Sequence, residues 1–300
     1  MTKKTQAFLE GIEQGVSFSR SLLCPAKINL FLEVTGKRED GYHTIESVMQ
    51  KVALCDKVDL TLSKGEGTVI TSNERALPTG EKNIAYKAIA AYLAAAGLTL
   101  HADLYIHKRI PLSAGLAGGS TDAAGVLKAL DAMIGALSRE KLAEIALSLG
   151  ADVPFCLFRT ASLCRGLGEE MSFVTPLADC HLVIAKSRRE SVSTKDAYAL
   201  IDSLSYLRCT VSGMTKALEE KNLSLIAGEM MNRFEEVILP LRPSVKMLKE
   251  TMLSCGAIRA MMSGSGPSVF GIFEREEDAL RARELLRQEK CFVFLSRPWR

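Results

Sequence analysis

The sequence lacks a strong excess of charge of either sign. Its 38 lysine and arginine residues are nearly balanced by 35 aspartate and glutamate residues, which leaves a formal net charge of +3. Proteins that bind nucleic acid or anionic lipid usually carry a broad basic surface. The composition therefore argues against nucleic-acid and membrane partners, although it leaves room for a local anion site.

Paired cysteines and a long apolar run are also missing. Eight cysteines are scattered between Cys24 and Cys291 without a C-x-x-C pair, so neither a structural zinc site nor a disulfide framework is indicated. Glu10 and Glu13 interrupt the apolar core that a signal peptide needs. The most apolar stretch, residues 84–100, is too short for a convincing membrane span. We expect a cytoplasmic protein with reduced thiols.

Two common nucleotide-binding signatures do not occur. The sequence contains neither G-x-x-x-x-G-K-[ST] nor G-x-G-x-x-G, which removes the usual evidence for a P-loop NTPase or an ordinary dinucleotide-binding fold. What the sequence does have is a composition of 47% hydrophobic and 24% charged residues, typical of a globular protein. A chain of 300 residues has room for two packed lobes.

Strand and helix patterns are mixed along the whole chain, which predicts an α+β fold. We expect an extension over 1–20, an N-terminal lobe over 21–175, and a C-terminal lobe over 176–300. The element predictions on which later arguments depend are a strand from Ile28, a helix from an Asn83 N-cap to Ala96, a helix over 138–149, an apolar strand over 155–158, strands over 181–185, 257–263, 268–273 and 291–295, and a helix over 275–289.

A run of small residues lies between a predicted strand and a predicted helix. Glycines let the backbone approach an anion closely, the first amides of a helix lack helical partners, and the helix dipole favours negative charge there. A plain strand-to-helix turn with Ser120 as N-cap explains the run about equally well. The candidate phosphate-binding residues are Pro111, Leu112, Ser113, Ala114, Gly115, Leu116, Ala117, Gly118, Gly119, Ser120 and Thr121.

Three motifs occur in a recognisable order. They are PAKIN at 25–29, the small-residue run at 111–121, and MSGSGP at 262–267. Together they resemble the three motifs of the GHMP kinase superfamily. DGYHT at 40–44 and GADVP at 150–154 resemble a branch that phosphorylates the 2-hydroxyl of a cytidine diphosphate-linked methylerythritol in non-mevalonate isoprenoid biosynthesis.

The resemblance implies a fold and an activity. The fold would have two lobes. The N-terminal lobe, like ribosomal protein S5 domain 2, would be the ATP-binding and catalytic lobe, and the C-terminal lobe, with a ferredoxin-like arrangement, would be the substrate lobe. The activity would be transfer of a phosphoryl group from ATP, accompanied by Mg²⁺, to the small-molecule substrate. The family usually has more glycine where this chain has Ser113 and Ala117, a change that bears on nucleotide affinity.

The same resemblance assigns two catalytic roles. Asp152 would take the proton of the acceptor hydroxyl, and Lys27 would hold that carboxylate ionised and steady the developing charge. From spacing alone, a turn carboxylate and a solvated lysine would be the better interpretations.

The remaining site residues are expected around the acceptor and the nucleotide. Asn29 shares a strand face with Lys27, an aromatic Tyr42-His43 pair suits stacking on cytosine, and Asn83 is either near the nucleotide or a plain N-cap. Tyr198 resembles a second wall of the cytidine pocket. The complete set of substrate-binding candidates is Asn29, Tyr42, His43, Thr194, Tyr198, Gly264, Ser265 and Gly266.

Two alternatives stay open at this point. The chain resembles other GHMP kinases in the same three motifs, so a mevalonate or homoserine kinase is the closest rival. A regulator that binds nucleotide without turnover is the rival from another class. The Tyr42-His43 pair argues against the first, and the presence of Lys27 and Asp152 argues against the second.

Overall fold

The computed structural model describes residues 2–188, 190–204 and 207–300. Helices and strands are mixed along the chain, so the predicted α+β class is confirmed. The chain folds into two compact units. The first unit comprises Met1–Pro25, Cys55–Leu112 and Gly118–Arg159, and the second comprises Ala26–Leu54, Ser113–Ala117 and Thr160–Arg300.

The first unit combines a sheet with several helices. The C-terminal part of β2 pairs antiparallel with β4, and β3 pairs parallel with β4. Along β4, Ala102, Leu104 and Ile106 are buried and alternate with more exposed residues, the pattern of a strand covered on one face. The elements are α1 Lys3–Glu13, the start of β1 Phe18–Lys37, the end of β2 His43–Ser63, β3 Thr68–Ser72, α2 Ile84–Ala96, β4 His101–His107, α3 Gly118–Met133, α4 Arg139–Leu149 and α5 Val153–Phe158.

The second unit contains two groups of paired strands. The N-terminal part of β2 pairs with β5, and β5 pairs with β6, both antiparallel, while β1 pairs parallel with β8. A separate four-stranded antiparallel sheet has the order β11-β7-β10-β9, and helices α10 and α11 pack against it.

The elements of the second unit that follow β1 and β2 are β5 Ala161–Gly166, β6 Glu170–Phe173, β7 His181–Ser187, α6 Thr194–Ile201, α7 Ser212–Glu220, α8 Leu223–Glu229, β8 Met231–Asn232, α9 Glu235–Ile238, a 3₁₀ turn Leu239–Leu241, α10 Pro243–Ser254, β9 Arg259–Met262, β10 Val269–Phe273, α11 Glu276–Gln288 and β11 Cys291–Ser296.

Several helix boundaries follow from local chemistry. The side chain of Asn83 accepts a hydrogen bond from the Ala85 amide, which caps α2 as predicted. Gly97 ends the same helix in the left-handed conformation. Ser138 caps α4 through the Lys141 amide. None of the helices within the described residues is long and apolar enough to cross a membrane.

The predicted strand over 155–158 is wrong, because these residues belong to helix α5. Short apolar runs are ambiguous between strand and buried helix. Pro154 lies in the first turn of α5, where its missing N–H costs nothing and its fixed φ suits a helix. A proline directly before the apolar run was therefore the signal for a helix.

The strand predicted from Ile28 is present, but its burial does not alternate. Asn29, Phe31 and Glu33 are as fully buried as the aliphatic residues between them. Both faces of β1 are therefore covered, and polar side chains on it need partners inside the protein.

The extension that the sequence left without structure begins with helix α1, which binds the end of α3. The hydroxyl of Thr5 is buried and donates to the carbonyl oxygens of Ile134 at 3.1 Å and Gly135 at 3.2 Å. The ammonium of Lys4 donates to the Asp131 carbonyl at 3.0 Å. Carbonyl groups at the end of a helix lack helical donors, so α1 supplies the donors that these groups need.

Replacement of Thr5 by valine tests this arrangement. Valine keeps the shape but removes the donor, so we expect the free energy of unfolding to fall by about 1 to 2 kcal/mol. Urea denaturation measures the change. Thr215→Val is the matched control. The Thr215 hydroxyl donates to the Ser212 carbonyl in an exposed hydrogen bond, so its loss should change stability by less than about 0.5 kcal/mol. Equal effects of both substitutions would contradict the role of α1.

Candidate active site

The small-residue run forms a loop anchored by two buried apolar side chains. Ala114 and Leu116 are buried, and the Leu116 carbonyl accepts a hydrogen bond from the Lys27 amide at 3.1 Å. Ser113, Gly115 and Ala117 have φ values of 48°, 72° and 57°. Such angles favour glycine, and they cost a residue with a Cβ atom about 1 kcal/mol. The two positions where the superfamily has more glycine are therefore the two that carry this strain.

Helix α3 begins at Gly118, three residues earlier than a Ser120 N-cap would place it. Its first turn contains no acidic side chain, so no carboxylate competes with an external anion for the free amides. A methyl group on Gly119 would meet only Ile84, at an ordinary 3.6 Å. The Thr121 hydroxyl is buried and donates to the Pro25 carbonyl at 2.9 Å, whereas Ser120 is partly exposed.

Lys27 and Asn29 lie on one face of β1 and bond to each other, as their spacing predicted. The Lys27 ammonium donates to Oδ1 of Asn29 at 2.8 Å, and Nδ2 of Asn29 donates to the Ser47 hydroxyl at 2.8 Å. Their exposed fractions are 4% for Lys27 and 1% for Asn29. A solvated lysine is therefore the wrong description of Lys27.

The C-terminal glycine motif forms the turn between β9 and β10 and meets both other motifs. The Gly264 amide donates to Oδ1 of Asn29 at 3.0 Å, and the Ser263 hydroxyl donates to the Gly115 carbonyl at 3.0 Å. A Cβ atom on Gly115 would overlap the carbonyl oxygen of Ser263. Glycine is thus required at position 115 by backbone contact as well as by its φ angle.

Helix α6 brings another candidate, Thr194, to this turn. The hydroxyl groups of Thr194 and Ser265 are 2.9 Å apart and hydrogen-bonded. Gly264 and Gly266 have φ values of 57° and 86°, which allow the turn to close tightly between the strands.

The aromatic candidates divide into an exposed ring and a packed pair. The Tyr42 residue is 65% exposed. The His43 ring stacks on Tyr198 with centroids 4.6 Å apart and an angle of 14°, and Nε2 of His43 lies 2.6 Å from Oδ1 of Asp202. The His43 bond and the Lys37 ammonium lower the pKa of Asp202. Tyr198 therefore contacts His43, and Asp202 is a partner that sequence reasoning missed.

Asp152 and Asn83 lie in the first unit. Asp152 is half-buried at the start of α5, and its backbone carbonyl accepts a hydrogen bond from the Cys156 amide at 3.0 Å. Both ends of the Asn83 amide contact the backbone, since Oδ1 accepts from Ala85 at 2.8 Å and Nδ2 donates to Pro78 at 2.7 Å. The N-cap alternative thus describes how Asn83 is used in this structure.

A buried charge cluster beside the start of α3 was also missed. The Lys108 ammonium bonds to Oδ2 of Asp56 and, at 2.8 Å, to Oδ2 of Asp122. The other oxygen of Asp56 accepts two backbone amides, whereas Oδ1 of Asp122 has no partner among the described atoms. No sequence pattern connected Asp122 to positions 56 and 108.

The cluster has one cation for two carboxyl groups, so one of them retains a proton. Burial raises the pKa of Asp122 from 3.8 to about 8 against the opposing effect of Lys108, and the charge of Asp56 adds to the rise. Burial lowers the pKa of Lys108, but Asp122 and Asp56 outweigh it and raise that pKa above 10.5. Asp122 holds this proton, because the two backbone amides that donate to Asp56 stabilise Asp56 as the charged carboxylate.

No group of three or more histidine, cysteine, aspartate or glutamate side chains that could hold a metal ion occurs in residues 2–188, 190–204 and 207–300. None of the eight cysteines, all of which lie within the described residues, forms a disulfide bond, and Cys209 is the one that is exposed.

The raised pKa of Asp122 predicts how stability depends on pH. Between about pH 4 and pH 8 the folded chain retains a proton that the unfolded chain releases, so the free energy of unfolding falls as pH rises through this window and levels off above it. An asparagine at position 122 has no such proton to release. The free energy of unfolding of the Asp122→Asn variant should therefore fall less over this pH window. Urea denaturation at about pH 5 and pH 8 measures it.

Glu81→Gln is the control, because Glu81 is exposed in the same unit. This variant should keep the pH dependence of the unchanged protein. If Asp122→Asn declined in parallel with the control across the window, the carboxyl at 122 would not hold the proton.

Comparison with known proteins gives a consistent result. The GHMP kinases N terminal domain matches residues 83–160, and the GHMP kinases C terminal domain matches residues 214–291. A 4-diphosphocytidyl-2-C-methyl-D-erythritol kinase from Lachnospira eligens is 39% identical over 88% of this chain and 92% of its own length.

Solved structures agree with these matches. A 4-(cytidine 5'-diphospho)-2C-methyl-D-erythritol kinase superposes with a TM-score of 0.77 at 32% identity, covering 93% of this chain and 99% of that one. A homoserine kinase from Cytophaga hutchinsonii has a TM-score of 0.73 at 23% identity, covering 93% and 94%, and this likeness concerns the fold alone. The two domain matches and the identity over most of both chains show that this chain belongs to the GHMP kinases.

Proposed function

We propose that this chain is an ATP-dependent kinase that phosphorylates the 2-hydroxyl of 4-diphosphocytidyl-2-C-methyl-D-erythritol. The observation that carries the proposal is the bonding of three motifs around Asn29 and Gly115 in a chain that is 39% identical to an enzyme of that name. The pathway that requires this reaction is non-mevalonate isoprenoid biosynthesis.

The loop at 111–121 is our proposed site for the ATP phosphates. The first turn of α3 offers backbone amides without an acidic competitor, and the macrodipole adds favourable potential for negative charge. Gly119 leaves space for an oxygen of the phosphate to approach the backbone. These features fit an anion bound end-on to the helix.

We propose that Mg²⁺ enters with the nucleotide. Bound there, the ion would compensate the charge of the phosphate oxygens. Ser120 is the hydroxyl of the loop best suited to reach it, because the Thr121 hydroxyl is occupied by Pro25. This chain's own contribution is thus one hydroxyl and the positioning of the phosphates.

Asp152 is our candidate for the general base. A carboxylate that accepts the proton of the attacking hydroxyl raises its nucleophilicity as the bond to phosphorus forms. Lys27 supplies a fixed positive charge, since its ammonium is buried and held by Asn29. A preorganised cation stabilises charge that develops in the transition state without the cost of reorienting water.

The cytidine end of the acceptor is assigned to the aromatic residues of the second unit. The exposed ring of Tyr42 is available to stack on a base, while His43 is held by Tyr198 and Asp202 and can present a ring edge for hydrogen bonding. Gly264, Ser265 and Gly266 lie in the turn that Thr194 of α6 contacts, and all four residues are proposed to contact the diphosphate.

The rival kinase assignments predict a different acceptor. The homoserine kinase shares the fold at 23% identity, but homoserine and mevalonate have no base to stack on Tyr42. A regulator without turnover would have no need of a buried lysine bonded to an amide. Release of ADP should be followed with the cytidine acceptor, mevalonate and homoserine in parallel. Turnover confined to mevalonate or homoserine would reject the proposal.

The substitution Gly119→Ala distinguishes a phosphate-binding loop from an ordinary strand-to-helix connection. The protein has room for the methyl group, and alanine favours a helix by about 0.5 to 1 kcal/mol, so stability should be kept or raised. The methyl would obstruct the phosphate, and we expect the KM for ATP to rise about tenfold, a loss of about 1.4 kcal/mol. Steady-state kinetics and thermal denaturation measure both effects.

The control is Gly228→Ala, at an open position in helix α8. It should stabilise similarly and leave the KM for ATP unchanged. A Gly119→Ala enzyme with the ATP affinity of the control would show that the amides of α3 do not hold the phosphates.

Asp152→Asn tests the base. The amide keeps the size but accepts no proton, so kcat should fall by about 10²- to 10⁴-fold with ATP binding nearly intact. Asp179→Asn, at an exposed carboxylate that pairs with Arg297 and Arg300, is the control and should turn over normally. An unaltered rate for Asp152→Asn would remove Asp152 from the mechanism.

A further inference from the structure

Asn232, at the end of the short strand β8, uses its whole side-chain amide on the backbone around it. Nδ2 donates to the Met262 carbonyl at 2.7 Å and to the Gly264 carbonyl at 2.9 Å, and Oδ1 accepts from the Phe234 amide at 3.0 Å. The residue is 4% exposed. A buried amide with three partners of this kind fixes the groups that it contacts.

The two carbonyl groups that Asn232 binds lie on either side of Ser263, in the turn between β9 and β10. Glu235 adds a third bond, because its Oε1 accepts from the Met262 amide at 2.8 Å. The segment from β8 to α9 therefore holds this turn at several successive backbone groups.

The turn between β9 and β10 also holds Asn29 in place. Gly264, whose carbonyl is bound by Asn232, donates its own N–H to Oδ1 of Asn29. That oxygen also accepts the Lys27 ammonium. A displacement of Gly264 therefore removes one of the bonds that place the oxygen to which Lys27 is bonded.

We propose that Asn232 is a positioning residue for phosphoryl transfer. Its amide fixes the turn at 262–264, the Gly264 amide then fixes Asn29, and Asn29 orients the ammonium of Lys27. The inference rests on the proposed function, because it takes Lys27 as the cation that steadies the transferred group. Asn232 itself is not expected to touch the substrate.

Only an amide suits this position. Aspartate would keep the acceptor for Phe234 but would place a carboxylate oxygen against two carbonyl oxygens. Serine would also keep an acceptor for the amide two residues later, but its hydroxyl is too short to reach both carbonyls. Each substitution leaves buried acceptors without a donor, which displaces the turn.

The primary test is Asn232→Asp, with Asn232→Ser as the milder variant in case the first does not fold. Displacement of the turn should lower kcat by about 10- to 100-fold. Asn222→Asp is the matched control. Asn222 caps α8 by accepting from Ser224 and Leu225 on the surface, and aspartate performs the same capping, so kcat should not change.

A double-mutant cycle with Asn29→Ala distinguishes positioning from a general loss of structure. If Asn232 acts through Asn29, the Asn232 substitutions should lower kcat by less than about twofold in the Asn29→Ala background. An undiminished loss in that background would show that Asn232 acts independently of Asn29 and would overturn the proposal. A folded Asn232→Ser enzyme with an unaltered kcat would also overturn it.

Hydrogen exchange of the Gly264 amide provides a readout that needs no turnover. Exchange should be faster in the Asn232 variants than in Asn222→Asp, and equal exchange would contradict the proposed chain of bonds. A parent protein inactive on the cytidine acceptor would refute the proposed function, while this exchange measurement would still decide whether Asn232 fixes the turn.

Discussion

The carbonyl oxygen of the Asn29 side chain accepts two hydrogen bonds, one from the Lys27 ammonium and one from the Gly264 amide. The arrangement of the second unit around this oxygen depends on both bonds. Asn29 is almost completely buried, so neither donor can be replaced by water at low cost. The oxygen joins the first motif of the sequence to the third. The Ser263 hydroxyl continues the connection to Gly115 in the second motif. Motifs separated by most of the chain thereby become one bonded arrangement.

Close backbone contact explains why this arrangement needs particular residues. Gly115 has no room for a Cβ atom beside Ser263, whereas Ser113 and Ala117 accept left-handed angles without being glycine. Such strain persists when the surrounding structure enforces it, and Ala114 and Leu116 are the buried anchors that do so. The loop is consequently held in a conformation that its free chain would disfavour, which is what preorganised binding of an anion requires.

Sequence patterns predicted the parts of this structure that depend on local chemistry. The α+β class, the N-cap at Asn83 and the shared face of Lys27 and Asn29 follow from capping chemistry and strand periodicity. Helix α5 was missed because a short apolar run does not distinguish strand from helix. Asn232 and the Asp56–Lys108–Asp122 cluster were missed because their partners are distant in sequence. Asp202 beside His43 is a further long-range interaction of this kind.

The most direct test of the account is a crystal structure with a non-hydrolysable ATP analogue and the cytidine-linked acceptor. The account predicts the phosphates on the amides that open α3, the cytosine against Tyr42, and the 2-hydroxyl within hydrogen-bonding distance of the Asp152 carboxylate, about 2.6 to 3.2 Å. Phosphates bound away from Gly118–Ser120, or an acceptor hydroxyl facing away from Asp152, would contradict it.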